Sequence, residues 1–246
     1  MDVAVIADIV GSRRLQDRAE AQRAFEAAIA QAEIDLPLAD EPLRPTAGDE
    51  LQGRYASLEA ALASLLLVQL ALPPEHELRF GVGVGDVHEI GRGAGSAALQ
   101  DGPGWWAARN AIGIVHARQQ RAVPTARTWI VGGGEQDESM RTAIDLANAY
   151  VLARDELVVR MSPRERRLVY GRALGRTQTE LAAAEGISQP AVSQALASAG
   201  AAAVVLGLDG LRDRIAAHRR VTADDRVAAG GRVAAGRDGA TGEEES

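Results

Sequence analysis

The feature that most constrains the fold of this chain is an apolar run from Val3 to Val10, which is interrupted only by Asp8 and followed by Gly11 and Ser12. Such a run predicts a buried strand, and Gly11 predicts the turn that ends it. A buried carboxylate is costly without a partner. Asp8 therefore has two interpretations. It is one half of a metal–phosphate site, with the N–H groups of the next helix N-terminus holding an anion, or it is hydrogen-bonded locally at a strand-to-helix turn.

The pattern after this strand predicts further elements in the order helix, hairpin, helix and strand. They are a helix over residues 12–34, strands over 43–47 and 51–55 with the hairpin tip at 48–49, a helix from Ser57 to residue 72, and a strand over 78–87. This βαββαβ order is typical of an α+β ferredoxin-like or palm sheet with helices on one face. Glycine alternates with apolar residues in the last strand, so we expect its glycine face to meet another element closely.

The charge of the chain changes sign along its length. Residues 1–150 carry 21 acidic and 13 basic side chains, whereas residues 160–200 carry six Arg and three Glu. The switch indicates two modules, the second suited to a polyanion. We therefore divide the chain into a sheet domain over 1–135, a connecting helix over 136–160 that leaves this domain, a helix-turn-helix domain over 161–220, and a disordered tail over 221–246. Within the first domain we expect a loop over 91–95, a helix over 105–120 and a strand over 128–131.

The second module carries the sharpest local signal. Thr177 and Glu180 form a capping box, Gly186 supplies a tight turn, and Ser188 caps a second helix. This spacing predicts a helix-turn-helix whose second helix enters the major groove, and the segment resembles sigma-factor region four. The alternative is a helical hairpin used for packing or dimerisation. We expect DNA contacts from Arg176, Thr177, Ser188, Gln189, Ser193 and Gln194, and further phosphate contacts from Arg164, Arg166, Arg167 and Arg172.

Composition argues against several other classes of protein. The chain has no Cys, which excludes disulfides and thiolate metal sites. Its four His lack a ligand spacing such as i, i+4, which argues against zinc. The first residues lack the basic flank and cleavage site of a signal peptide, and no apolar stretch reaches the length of a membrane span. We therefore expect a cytoplasmic protein without a membrane partner.

Four segments of the first module resemble the catalytic domain of class III nucleotide cyclases in order and spacing: residues 7–12, 48–51, 79–87 and 107–109. The resemblance implies Mg²⁺ as a cofactor, metal ligands at Asp8 and Asp49, and phosphate or nucleotide contacts from Ile9, Gly11, Ser12 and Arg109. A divalent cation would relieve the repulsion between two close carboxylates. The family's transition-state Asn and base-reading residues are replaced here by Trp105, Pro45 and Ala98, which argues against cyclisation.

Nearly the whole chain also resembles the SatD family, through residues 8–12, 48–52, 79–83 and 101–109. The family is linked to stress tolerance and regulation, and the resemblance implies no activity. We therefore expect a regulatory protein that binds DNA through the helix-turn-helix and senses a nucleotide or phosphate ligand through the cyclase-like domain. The alternatives are a Mg²⁺-dependent nucleotidyl-transfer or cyclase-like enzyme, and a non-catalytic interaction protein. A homodimer is expected, because two helix-turn-helix units suit a palindromic site.

Overall fold

The computed structural model describes residues 2–12, 17–46, 49–92 and 98–235, and it describes backbone alone at 92, 98, 99 and 222–235. The strands are β1 (Asp2–Ile9), β2 (Ala39–Pro45), β3 (Glu50–Tyr55), β4 (Leu78–Gly85), β5 (His88–Arg92), β6 (Ala98–Asp101) and β7 (Thr128–Gly132). The helices are α1 (Arg18–Asp35), α2 (Leu58–Ala71), α3 (Pro103–Arg121), α4 (Glu138–Arg160), α5 (Pro163–Ala173), α6 (Gln178–Glu185), α7 (Gln189–Ser198) and α8 (Ala201–Ala235).

The first strand lies at the centre of a five-stranded sheet with the order β2-β3-β1-β4-β7. β1 runs antiparallel to both β3 and β4, and β7 extends the sheet by pairing parallel to β4. The order of the first four strands is the one that a ferredoxin-like βαββαβ unit produces, so the predicted α+β fold class is confirmed.

Both faces of the sheet are covered: the two helices of the βαββαβ unit lie on one face, as expected, and α3, which follows the unit, covers the other. Alternate residues of β1, such as Val5, pack into the large core that contains α1 and α2, whereas Ala4 and Ile6 pack with Ala108 of α3. The glycines of β4 allow this approach. A Cβ atom at Gly83 would lie 2.0 Å from a backbone oxygen of α3. The close approach that was expected of the glycine face is therefore confirmed.

Three element boundaries differ from the sequence prediction. α1 begins at Arg18 and not at residue 12, because the Asp17 side chain accepts a hydrogen bond from the Glu20 N–H and caps the helix there. β2 begins at Ala39 and not at residue 43, and its pairing with β3 is irregular. β5 and β6 form a two-stranded ribbon around the expected loop, of which residues 93–95 lie outside the described residues.

The long helix α4 stays packed along β7 and does not leave the sheet domain. The Asn148 side chain bonds to both the N–H and the C=O of Ile130, at 2.9 Å each. Two turns of helix further along the same face, the carboxylate of Asp155 accepts the N–H groups of Arg127 and Thr128, at 2.7 Å each. Side chains that look solvent-facing in the sequence therefore fasten α4 to the sheet.

The helical module shares one continuous hydrophobic core with the sheet domain. α2 is buried nearly all round, because one side packs on the sheet and the other on α5 and α8. The Tyr170 hydroxyl of α5 also donates to Asp35 at the end of α1, at 2.6 Å. α8 continues to Ala235, into the segment where a disordered tail was expected, and residues 236–246 lie outside the described residues.

Within the described residues, no single helix combines the length and the apolar character of a membrane span; α7 and the first part of α8 meet that test only together, across a bend of 75°.

Candidate functional site

Asp8 lies near the end of β1, on the sheet face that α3 covers, and an arginine neutralises it. Arg79 stands directly opposite Asp8 in β4. Its Nη2 atom donates to Asp8 Oδ2 at 2.6 Å, and its Nη1 atom donates to Gln119 at 3.0 Å. The Arg79 side chain is only 8% exposed, so this ion pair is screened little by solvent. The partner of Asp8 is therefore a cross-strand arginine, which is neither the metal–phosphate site nor the local hydrogen bond that the sequence suggested.

Arg109 of α3 reaches the same face, and its partner there is Glu50. Both terminal nitrogens of the guanidinium contact the two Glu50 oxygens, with Nη2 to Oε1 at 2.8 Å. Gln52 also donates to Glu50 Oε1, at 2.8 Å. Burial raises the pKa of Glu50, but the hydrogen bonds from Arg109 and Gln52 outweigh it and the pKa is lowered. The side chain expected to hold a phosphate therefore already holds a carboxylate.

The other predicted ligands of this site are spread around the same end of the sheet. Asp49 is exposed in the turn, and the register places Glu50, not Asp49, opposite Asp8. Ile9 is buried in the main core, Gly11 occupies a turn with φ of 74°, and Ser12 is half-buried. Residues 13–16 and Gly48 lie outside the described residues.

The carboxylate oxygens of this site do not fit a bound Mg²⁺. Asp8 and Glu50 are each engaged by an arginine, at the distances given above. Across the described part of the chain, no group of three or more His, Asp or Glu side chains converges on one point. Mg²⁺ requires near-octahedral oxygen ligands, which these paired carboxylates do not offer.

An open pocket of about 370 Å³ lies between β1, β3, β6 and the first turns of α3. Trp105, Trp106 and Arg109 line it from α3, and Trp106 Nε1 donates to Asp101 Oδ1 at 2.8 Å. Trp105 Nε1 is buried and has no hydrogen-bond partner among the described residues. The volume is in the range of small-molecule sites, about 300–1,000 Å³. The pocket brings together the Trp pair and Arg109, all of which stand in the SatD-like segment over residues 101–109.

The predicted capping pattern of the helix-turn-helix segment is present. Thr177 and Glu180 form both hydrogen bonds of a capping box at the start of α6. Gly186 has φ of 65°, a conformation that favours glycine, and Ser188 caps α7 by accepting the Ala191 N–H at 3.4 Å. Two short helices therefore flank a tight turn, as the spacing predicted.

The outward face of α7 is polar and uncovered. Gln189, Ser193 and Gln194 are exposed, whereas Val192 and Leu196 are buried against the rest of the module. The remaining predicted contact residues, Arg176, Thr177 and Ser188, are also exposed. The structure thus leaves all six residues exposed, and Gln178 of α6 joins the start of α7 through its hydrogen bond with Gln189.

Two of the arginines expected to contact phosphates have other roles. Arg166 is only 7% exposed, because it points from α5 towards the sheet domain, so the expectation of a phosphate contact there is wrong. Arg167 is held by Glu185, with its Nε and Nη2 atoms 2.7 Å from the two carboxylate oxygens. Arg164 and Arg176 are exposed and Arg172 is half-buried.

Sequence analysis missed the partners Arg79 and Glu50. The face on which Arg79 lies could have been predicted from strand alternation, because Arg79 lies two residues before Gly81, on the side of β4 that meets α3. Glu50 stands next to the residue that was chosen, and only the strand register distinguishes the two.

The chain was compared with solved structures, with curated sequences and with models of protein families. Similar solved structures include a bacterial light-regulated adenylyl cyclase (10% identity, TM-score 0.39, covering 52% of this chain and 74% of that chain). The adenylyl cyclase CyaB from P. aeruginosa is also similar (14% identity, TM-score 0.34, covering 44% and 68%). A third is a regulator of polyketide synthase expression from Bifidobacterium adolescentis (17% identity, TM-score 0.25, covering 87% and 81%). We base the fold on the sheet order and not on these likenesses.

A search among curated protein sequences finds no match to the chain. The sequence model of the SatD family matches residues 2–145, which is more than half of the chain. The chain therefore belongs to the SatD family.

Proposed function

We propose that this protein is a DNA-binding regulator whose α7 helix enters the major groove and whose cyclase-like domain senses a nucleotide or another phosphate-bearing ligand. The observation that carries the proposal is the division of α7 into two faces. Its inner face is buried in the core shared with the sheet domain, and its outer face presents the exposed polar side chains of Gln189, Ser193 and Gln194. A recognition helix requires this combination of a fixed orientation and a free polar face.

The exposed side chains suit the two kinds of contact that a recognition helix makes. Gln189 and Gln194 offer amides that pair bidentately with adenine, and Ser193 is compatible with any base. Gln189 is held at the start of α7 by a hydrogen bond to Gln178 at 2.6 Å, which fixes its direction. Arg176 supplies a positive charge near the phosphates, and salt-dependent affinity follows from such contacts.

The ligand of the sheet domain is proposed to bind in the pocket beside Arg109. The Arg109 side chain is 57% exposed, so a phosphate in the pocket has access to it and takes the place of the Glu50 carboxylate. We leave Mg²⁺ out of this proposal, because a metal would first have to displace arginines from Asp8 and Glu50. The enzymatic alternative gains no support for the same reason.

A homodimer is part of the proposal, because two copies of α7 match a palindromic DNA site. Light scattering on the purified chain tests it. A mass of about 52 kDa, twice the 25.8 kDa of one chain, is expected, and a stable monomer at micromolar concentration contradicts it.

The DNA-binding proposal is tested by selecting duplexes from a random pool and comparing variants on the selected sequence. We expect the double variant Gln189→Ala/Gln194→Ala to bind at least about tenfold more weakly, since each bidentate base contact contributes about 1–3 kcal/mol. Gln120→Ala is the control, because this exposed glutamine lies on α3, away from the helix-turn-helix. Failure to select any duplex, or equal losses in both variants, contradicts the proposal.

A further inference from the structure

Arg166 differs from the other arginines of the helical module because its charge is both buried and unpaired. Its side chain lies between α5 and the sheet domain, and the residue is only 7% exposed. Its Nε atom is buried without a hydrogen-bond partner, and none of the described carboxylates forms an ion pair with it. A guanidinium that is largely removed from water is destabilising unless an anion accompanies it.

The nearest charged groups do not compensate Arg166. Glu77 is already taken by Arg127, whose Nη2 atom lies 2.7 Å from Glu77 Oε2. Burial lowers the pKa of Arg166; Glu77 opposes this and Arg127 adds to it. Two arginines and one glutamate leave an excess of one positive charge in a buried place.

Two cavities meet at Arg166. The smaller, of about 20 Å³, also contacts Arg127 and Gln69, and Arg127 Nε and Gln69 Oε1 both lack partners within the described residues. The larger is an open cleft of about 470 Å³ between the end of α2 and helices α5 and α6. Its walls are mainly apolar and include Leu72 and Leu181. The two carboxylates of the lining are already engaged, Asp35 by the Tyr170 hydroxyl and Glu185 by Arg167. Arg166 thus lines both a small cavity and an open, mainly apolar cleft.

We propose that this cleft binds a small organic oxyanion, a carboxylate or phosphate monoester with an apolar body, whose anionic group is held by Arg166. A single anionic group supplies the missing charge, and the guanidinium provides planar paired donors that match an oxyanion. The apolar walls are suited to contact the apolar part of such a ligand. The volume of the cleft is that of a small-molecule site.

The position of the cleft gives such a ligand a definite effect. One wall belongs to the sheet domain, through α2, and the other to the helical module, through α5 and α6. A bound oxyanion therefore bridges the two and stabilises their docked arrangement. The inference goes beyond the proposed function, because it depends neither on DNA nor on the pocket beside Arg109.

The test is a thermal-shift and calorimetric titration of the full chain with phenyl phosphate, benzoate, neutral benzamide and inorganic phosphate. We expect saturable binding and a rise in Tm with phenyl phosphate or benzoate, at least tenfold tighter than with benzamide or inorganic phosphate. Equal binding of benzamide, equal binding of inorganic phosphate, or no binding of any probe overturns the proposal.

Variants test the role of Arg166 itself. Arg166→Met is expected to weaken binding at least tenfold and, without ligand, to raise Tm by a few degrees, because an uncompensated buried charge is removed. Arg164→Met is the matched control, since Arg164 is exposed on the same helix. Ala184→Trp, at an exposed wall position, is expected to block binding without disturbing the core. Unchanged binding in Arg166→Met and Ala184→Trp, or a large fall in Tm of ligand-free Arg166→Met, contradicts the proposal.

Discussion

Replacing Asp155 by Asn is expected to destabilise the protein more than almost any other isosteric change. The Asp155 carboxylate is fully buried and accepts five hydrogen bonds. Two come from the backbone N–H groups of Arg127 and Thr128, two from Arg154 and one from Gln69. Every acceptor direction of the carboxylate is therefore in use, and the helix α4 is tied to the start of β7 through it.

The size of the expected stability loss follows from the buried charge and the hydrogen-bond donors that would lose their acceptor. An Asn amide has only one oxygen, so its NH₂ group must face either the two backbone donors or the Arg154 guanidinium. The Arg154 side chain is 1% exposed, and its charge would be left without a carboxylate. Removing one partner of a buried ion pair costs about 3–5 kcal/mol. At about 2–4 °C per kcal/mol for a chain of this size, Tm should fall by about 6–20 °C.

Urea unfolding at pH 7, followed by circular dichroism, measures this loss. Asp145→Asn is the control, because Asp145 is exposed on the same helix and should change the free energy of unfolding by no more than about 0.5 kcal/mol. A loss below about 1 kcal/mol for Asp155→Asn, or equal losses in the two variants, would refute the reasoning and with it the attachment of α4 to the sheet.

Two further predictions concern the sheet face that α3 covers. Gly83→Ala should cost about 3 kcal/mol or more, because the new Cβ would lie 2.0 Å from the Gly104 oxygen, whereas Gly113→Ala, on the open side of α3, should stabilise by about 0.5–1 kcal/mol in the same urea assay. Arg109→Gln should raise the pKa of Glu50, measured by NMR titration. The wild-type pKa of Glu50 is lowered by folding, so the stability from this pair is present above the unfolded pKa of about 4.3 and is lost as the pH falls through the folded value. In Arg109→Gln the loss of stability between pH 7 and pH 3 should therefore be smaller, and an unchanged acid profile would contradict the role given to the pair.

The order of the elements was predictable because each element carries its own local signal. Ser57 caps α2 by accepting the Ala60 N–H, and Gly186 marks the turn before α7. Signals of this kind depend on residues a few positions apart in the chain. They identified the βαββαβ unit and the two short helices without any knowledge of tertiary packing.

The charged partners were not predictable in the same way, because they depend on strand register and on contacts distant in sequence. A shift of one residue decides whether Asp49 or Glu50 faces Asp8, and the pairing of Asp8 with Arg79 joins residues 71 positions apart. Asp155 reads as an ordinary solvent-facing residue of an amphipathic helix until the start of β7 is placed against it. The same is true of Arg166, which was taken for a surface cation.

The central claim, that the chain binds duplex DNA with α7 against the major groove, is tested most directly by a salt series of duplex affinity. A plot of log affinity against log salt should have a negative slope, and Arg176→Gln should reduce its magnitude by about one per bound protomer. Arg121→Gln, an exposed arginine at the end of α3, should leave the slope unchanged. Absence of salt-dependent duplex binding, or equal slopes in the wild type and Arg176→Gln, would contradict the claim.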